Sequence, residues 1–234
     1  MRVVYRHANP ERCSDTLAIL LPGALQQPED LIEAGFVDAV SERGLPLDVS
    51  LVDLQLNFVG DAIDAKSLQR LHDDVLEPAR QRGYSKIWLA GISIGGFMAL
   101  AYASRHAACV VGLCLIAPYP GSRLLINEVR AAGGIRNWTA ADSDDDLERC
   151  VWRWLQSPTQ SPEIYFGFGE QDRFASGQQL MMDAISDGTS NSVLGAFVET
   201  VDGTHDLPAW RQLWGNFLDR IAPRLQHDSR KDAA

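Results

Sequence analysis

The chain has 234 residues, which is long enough for a single α/β domain with a full hydrophobic core. Its 21 basic and 31 acidic residues give a formal charge of −10, and 46% of the residues are hydrophobic. This balance is typical of a soluble globular protein and argues against binding to nucleic acid or to an anionic membrane surface. The amino terminus shows no signal-peptide pattern, and no apolar run approaches the length of a membrane span. We therefore expect a cytoplasmic protein, whose oligomeric state the sequence leaves open.

The four cysteines show no spacing typical of a metal site. Cys13, Cys109, Cys114 and Cys150 form no CxxC pair, and the second and third of them lie in one apolar run that predicts a buried strand. We expect buried free thiols, with neither a zinc site nor a disulfide framework.

Apolar runs short enough for buried strands alternate with segments that predict helices. The strands are predicted at 16–23, 47–54, 86–93, 109–118, 163–169 and 195–201, and the helices at 28–44, 66–83, 95–106, 175–186 and 207–225. Such alternation predicts βαβ units and a mostly parallel sheet flanked by helices, all within one domain covering residues 1–234. Residues 121–160 interrupt the alternation, because they hold two helical segments and no strand signal. The polar tail after residue 225 is predicted to be frayed.

A serine lies where one predicted strand meets the next predicted helix. The sequence Gly-Ile-Ser-Ile-Gly at 91–95 fits the G-x-S-x-G nucleophile elbow, in which a sharp turn exposes the serine at the carboxyl edge of the sheet. Glycine allows the close approach of strand and helix that this turn needs. The pattern predicts that Ser93 is a nucleophile.

A serine nucleophile needs a base that takes its proton and a carboxylate that orients the base. His205 is the candidate base, because it lies in a tight turn between the last predicted strand and the last predicted helix. The other four histidines are more simply interpreted as packed or solvated side chains: His7, His72, His106 and His227.

The carboxylate should follow a strand that lies between the serine and the histidine in the chain. Asp172, in the loop after the strand at 163–169, is the predicted acid. Glu170 lies two residues closer to the end of that strand and remains the alternative.

The order Ser93, Asp172, His205 and the strand-turn-helix context resemble the α/β-hydrolase superfamily, and the resemblance extends from "LLPGAL" to the final helix. It implies an oxyanion hole made by the amide of Ile94 together with the amide of Ala24 or Leu25. The HGGG motif of many esterases is absent, so the second donor stays open between these two residues.

Residues 121–160 occupy the position where that superfamily inserts a helical cap after its sixth strand. Trp138, Trp152 and Trp154 of this segment either line an apolar acyl pocket or pack the cap onto the body of the domain. Phe58, in the loop after the second predicted strand, is expected at the same edge of the sheet and is a candidate substrate contact.

These observations predict a serine hydrolase that cleaves a small-molecule carboxylic ester or thioester through an acyl-enzyme intermediate. No cofactor or metal is expected, because the sequence has neither GxGxxG nor a phosphate-loop lysine. Two alternatives stay open: an acyltransferase or C–C bond hydrolase that uses the same triad, and a non-catalytic ligand receptor built on this fold.

Overall fold

The computed structural model describes most of the chain as a mixed α/β structure. The described residues are 1–7, 14–54, 64–139, 146–156, 162–188 and 195–231. They form seven strands: β1 (Arg2–Arg6), β2 (Thr16–Leu21), β3 (Asp48–Asp53), β4 (Lys86–Ile92), β5 (Gly112–Ile116), β6 (Glu163–Gly169) and β7 (Ala196–Val201).

All seven strands belong to one sheet with the order β1-β3-β2-β4-β5-β6-β7. Only β1 runs antiparallel, against β3, and every other pair is parallel. The residues of β2 and β5 are all buried, as expected for strands that are covered on both faces. This arrangement confirms the predicted fold class.

The strand order reverses beside β2, which places a switch point between β2 and β4. The chain passes from β2 to β3 on one side, and β4 then pairs with β2 on the other. The loops at the carboxyl ends of strands on either side of such a point enclose a crevice where ligands bind in open α/β sheets. The loop after β4 contains Ser93.

Nine α-helices lie within the described ranges: α1 (Pro28–Glu33), α2 (Asp38–Glu42), α3 (Ala65–Leu71), α4 (Glu77–Gln81), α5 (Ile94–His106), α6 (Arg123–Ala131), α7 (Leu147–Gln156), α8 (Ala175–Gly188) and α9 (Leu207–Lys231). Helix α5 packs on β4 and β2, whereas α8 and α9 pack on β6 and β7. None of the described helices combines the length and the hydropathy that crossing a membrane requires.

Two predicted helices contain irregular backbone. The predicted helix 28–44 is divided between α1 and α2, because Gly35 adopts a φ of +83° that a helix cannot accommodate. In the predicted helix 66–83, a π-helical turn (His72–Leu76) joins α3 to α4. Pro78 gives this turn a local cause, since a proline ring clashes with the carbonyl group four residues before it.

The predicted start of the strand at 109–118 and the predicted end of the last helix at residue 225 were wrong. Cys109 lies in a short 3₁₀ helix (Ala107–Cys109) and is half-buried, because the strand begins only at Gly112. The tail is helical as far as Lys231, since α9 continues through Pro223.

The described part of residues 121–160 contains α6, a 3₁₀ turn (Ile135–Asn137) and α7, and no strand, as predicted. This segment follows β5, the strand observed within the predicted run at 109–118. Helix α7 packs against α5 and α8, so the helical segment lies against the body of the domain.

Candidate active site

Ser93 occupies a strained turn between β4 and α5. Its φ of +53° lies in a region that residues with a side chain rarely adopt, and such a conformation costs about 1–3 kcal/mol. Backbone hydrogen bonds fix it in place. The Ser93 amide donates to the carbonyl oxygen of Ile116 at 3.0 Å, and the Ser93 carbonyl accepts from the amides of Phe97 at 3.1 Å and Tyr119 at 2.9 Å.

The glycines on both sides of Ser93 allow strand and helix to approach closely. A Cβ on Gly91 would lie 2.3 Å from the carbonyl oxygen of Gly95, and a Cβ on Gly95 would lie 2.3 Å from that of Leu21. Both obstacles are backbone atoms, which cannot rotate away. The G-x-S-x-G spacing therefore follows from the packing of the elbow, as the sequence predicted.

The serine hydroxyl is engaged by His205. A serine at a helix N-terminus usually caps the helix with its side chain, but the Ser93 side chain makes no capping bond to α5. Its Oγ instead lies 2.9 Å from Nε2 of His205, and Nδ1 of the same ring lies 2.6 Å from Oδ2 of Asp172. The structure thus brings together the three side chains that the sequence singled out, from the loops after β4, β6 and β7.

The carboxylate of Asp172 is fully buried and has several hydrogen-bond donors around it. Oδ1 accepts from the amide of Phe174 at 2.7 Å, and Oδ2 accepts from Nε2 of Gln178 at 3.3 Å as well as from His205. A buried charge requires such partners. Gln178, which is itself fully buried, also donates to the carbonyl oxygen of Pro118 at 3.1 Å.

Glu170, the alternative acid, does not approach the histidine. Its side chain is exposed and accepts a hydrogen bond from the hydroxyl of Thr200 at 3.3 Å, while its amide donates to the carbonyl oxygen of Val201. The geometry therefore favours Asp172 as the partner of His205.

Aromatic side chains surround the imidazole of His205. Phe174 and Trp210 each present an edge-to-face contact with a centroid distance of 5.2 Å. Tyr119 packs edge to face on Phe174 at 5.6 Å, and burial, with a smaller contribution from the carboxylate of Glu148, raises the pKa of Tyr119 to about 12. Its hydroxyl thus stays protonated near neutral pH.

Sequence reasoning missed four of these neighbours: Gln178, Phe174, Tyr119 and Trp210. Only proximity to Asp172 in the chain could have indicated the first two. Tyr119 enters the site because its backbone bonds to Ser93, a contact with no sequence signal.

The predicted oxyanion amides lie at adjacent strand ends. Leu21 pairs with Gly91, so the loop after β2 begins beside the elbow, and a Cβ on Gly23 would lie 3.7 Å from Cβ of Ser93. Ile94 is the first residue of α5, and within the described part of the chain its amide has no acceptor. The same holds there for the amides of Ala24 and Leu25, so both stay candidates for the second donor.

The loop after β2 has a defined shape. Leu25 adopts a φ of +63° and exposes 64% of its surface, while the amide of Gly23 donates to Oε1 of Gln26 at 2.9 Å. That bond occupies the Gly23 amide, which leaves the two amides after it available for a ligand.

The tryptophans of the helical segment at 121–160 differ in burial. Trp152 is fully buried, and its indole N–H donates to the carbonyl oxygen of Pro120 at 2.8 Å. Trp138 is also buried, whereas Trp154 is half-buried. For Trp152 this arrangement favours the packing alternative, because a side chain without exposed surface cannot line an open pocket. Phe58 lies outside the described residues.

The fold is shared with solved structures. The chain resembles a substrate-bound fluorophosphonate-binding serine hydrolase of Staphylococcus aureus, with a TM-score of 0.65 and 16% identity over 92% of this chain and 87% of the other. An S-formylglutathione hydrolase from Agrobacterium tumefaciens gives 0.64 and 16% over 92% and 86%, and Est1E from Butyrivibrio proteoclasticus gives 0.62 and 18% over 94% of each. The chain has the α/β-hydrolase fold.

No family model matches the chain, and no curated protein matches it. At such low identities the structural likeness establishes the fold, and the chemistry has to be argued from the site.

Proposed function

We propose that the protein is a serine hydrolase that cleaves a small-molecule carboxylic ester or thioester through an acyl-enzyme intermediate. The observation that carries this proposal is the continuous line of hydrogen bonds from Oγ of Ser93 through His205 to Asp172. A hydroxyl, an imidazole and a buried carboxylate in this order are the parts of a general-base-activated nucleophile.

Acylation begins at the hydroxyl of Ser93. As Oγ attacks the acyl carbon, its proton passes to Nε2 of His205, and the imidazolium that forms is stabilised by Asp172. The tetrahedral intermediate collapses when the bond to the leaving group breaks and His205 gives its proton to the departing oxygen or sulfur. The acyl group is then an ester of Ser93.

Deacylation repeats the same steps with water. His205 takes a proton from a water molecule, the hydroxide attacks the acyl carbon, and the proton returns to Oγ of Ser93 as the carboxylic acid leaves. In both acylation and deacylation, the negative oxygen of the tetrahedral intermediate would be stabilised by the amide of Ile94 and one amide of the loop after β2. Each amide would contribute about 3 kcal/mol.

The walls of the site suit an apolar acyl group. Phe174 and Tyr119 are half-buried and lie next to the hydrogen-bonded pair of Ser93 and His205. We infer that an acyl chain bound for attack would contact these rings, since aromatic and aliphatic surfaces are the usual lining of small-molecule sites.

Which leaving group the protein accepts has to be determined by experiment. One neighbour is an S-formylglutathione hydrolase and another a ferulic acid esterase, names that point to different leaving groups. A panel of p-nitrophenyl esters with chains of increasing length should therefore be measured beside acyl-CoA thioesters. We expect saturable release of the leaving group from at least one class.

A fluorophosphonate probe tests the mechanism directly. It should label the wild-type protein at Ser93 and should leave a folded Ser93→Ala variant unlabelled and inactive. A wild-type protein that neither reacts with the probe nor cleaves any substrate of the panel would support the non-catalytic receptor. Transfer of the acyl group to an added alcohol or thiol in preference to water would support the acyltransferase.

A further inference from the structure

Three potential metal ligands converge at the end of α5 that is remote from Ser93. His72 opens the π-helical turn, His106 ends α5, and Cys109 ends the 3₁₀ helix that follows. One nitrogen of each imidazole and Sγ of the cysteine all lie within 4.8 Å of one another, and each residue is half-buried. The cluster belongs to none of the chemistry derived above.

We propose that His72, His106 and Cys109 form a zinc-binding site. Two imidazole nitrogens and one thiolate are a ligand set that Zn²⁺ prefers, and a tetrahedral ion held by three protein ligands keeps its fourth position for water. Binding would release the thiol proton of Cys109 to solvent as the Zn–S bond forms.

The distances allow this site with small side-chain rotations. Zinc bonds of about 2.0–2.3 Å place tetrahedral ligand atoms roughly 3.3–3.8 Å apart. The ligand atoms would therefore have to approach by no more than about 1.5 Å, a displacement that small torsional adjustments of the side chains can supply. The two rings are already close to parallel, with a centroid distance of 5.2 Å.

Tyr102 supports the cluster from the buried side. Its hydroxyl lies 2.8 Å from Nδ1 of His72 and within hydrogen-bond reach of Cys109, and its ring packs against His106 at 4.9 Å. Metal-binding histidines commonly use their second nitrogen in this manner, which fixes the orientation of the ring. With the hydrogen bond to Tyr102 kept, Nε2 is the nitrogen of His72 that remains for the metal.

The position at the end of a helix adds a favourable field. His106 is the last residue of α5, where the carbonyl groups give the helix terminus a partial negative charge that stabilises cations. Arg80 donates to the carbonyl oxygen of Cys109 at 2.9 Å and so holds the third ligand in place. Its positive charge disfavours a nearby metal cation. The thiolate compensates for that charge.

The site would connect two elements of the fold, with its fourth position left to water. It would join the π-helical turn to the end of α5, about 18 Å along the helix from the elbow at 1.5 Å per residue. No cysteine spacing in the sequence indicates it, because the ligands come from elements separated by a strand and a helix. The proposal is independent of the hydrolase chemistry.

Cobalt is the probe that tests it. Metal-free protein titrated with Co²⁺ should develop a thiolate-to-cobalt charge-transfer band in the near ultraviolet and d–d bands of tetrahedral intensity in the visible, and Zn²⁺ should displace both. Cys109→Ser should remove the charge-transfer band, and His106→Gln and His72→Gln should weaken Zn²⁺ binding tenfold or more (~10–100-fold). Zn²⁺ should also raise the melting temperature of the wild type.

Matched controls use one thiol and one imidazole from outside the cluster. Cys150→Ser and His227→Gln should bind Co²⁺ as the wild type does, because Cys150 lies in α7 and His227 is exposed in α9. Circular dichroism of each variant distinguishes lost binding from lost folding, and the histidine variants test the site if Cys109→Ser does not fold. A wild type without the charge-transfer band, or a band that survives Cys109→Ser, would overturn the proposal and leave an aromatic and thiol cluster that only packs.

Discussion

The hydrogen bonds around Asp172 allow its role to be tested by a change of one atom. Asp172→Asn keeps the shape of the side chain but replaces one acceptor oxygen with an NH₂ donor. In the structure, Oδ1 accepts from the amide of Phe174 at 2.7 Å, and Oδ2 faces Nδ1 of His205 at 2.6 Å and Nε2 of Gln178 at 3.3 Å. Because these partners donate, the new NH₂ group meets a donor in either orientation.

Both orientations of the amide are costly. With NH₂ toward His205, the ring must accept at Nδ1 and carry its proton at Nε2, so it can no longer take the proton of Ser93. With NH₂ toward Phe174, a buried amide loses its acceptor, which costs about 1–3 kcal/mol. We expect kcat to fall by about 10²–10⁴, which corresponds to roughly 2.7–5.5 kcal/mol in the activation barrier.

The assay is release of p-nitrophenol from the best ester of the panel, with thermal unfolding measured on the same samples. Glu170→Gln is the matched control, because it makes the same chemical change on an exposed side chain two residues away, and it should stay within about twofold of the wild type. A folded Asp172→Asn protein with kcat within tenfold of the wild type would refute the acid role. A larger loss in Glu170→Gln would transfer that role to Glu170.

Four further substitutions test the elbow, the support of the acid and the helical segment at 121–160. Gly95→Ala should destabilise the fold by about 3 kcal/mol and abolish activity, since its Cβ would lie 2.3 Å from a carbonyl oxygen of β2; wild-type unfolding in urea would contradict this. Gln178→Leu should lower kcat about tenfold with little change in KM, because the carboxylate loses a donor; an unchanged kcat in a folded variant would remove Gln178 from the mechanism. Trp152→Ala should lower the free energy of unfolding by about 3–5 kcal/mol. Trp154→Ala should instead shift the preferred ester chain length if it lines the acyl pocket, at about 1 kcal/mol per methylene; a parallel loss on all esters would assign it to packing.

Local patterns predicted the sheet because each buried strand carries its own signal. The run at β2 is apolar after Thr16 and leads into Pro-Gly, so its existence, type and limits could be predicted within two residues. The edge strand β1 gives a weaker signal, because its residues alternate only partly and it is half-exposed. The sequence did not predict the break at Gly35, because glycine is tolerated within helical patterns. Only the folded structure shows that this glycine adopts a positive φ.

The sequence identified those site residues whose local backbone requires particular residue types. Ser93 is marked by the glycines that the elbow needs, and His205 by a turn between two regular elements. The choice between Asp172 and Glu170 could not be made firmly, because both lie in one loop and the direction of a side chain depends on the turn that carries it. The amide of Asp172 bonds to the carbonyl oxygen of Gly169, and this turn directs the carboxylate inward.

The backbone at the end of β5 and just after it supplies no reacting group and yet bonds to the nucleophile on two sides. The carbonyl oxygen of Ile116 accepts from the amide of Ser93, and the amide of Tyr119 donates to the carbonyl oxygen of Ser93. Between them, Ala117 adopts a φ of +44° while its amide bonds to Gly167 of β6 at 2.7 Å. Two strained residues therefore follow the ends of adjacent strands, and Ser93 is bonded to residues on both sides of Ala117.

The same segment reaches the acid and the base. The carbonyl oxygen of Pro118 accepts from Gln178, whose Nε2 also faces Asp172, and the ring of Tyr119 packs on Phe174, which packs on His205. One short turn is thus bonded directly to Ser93, and it reaches Asp172 through Gln178 and His205 through Phe174. Because catalysis depends on donors and acceptors that need no reorganisation during the reaction, a strained turn that is bonded on both sides is a physical means of keeping them in place before substrate arrives.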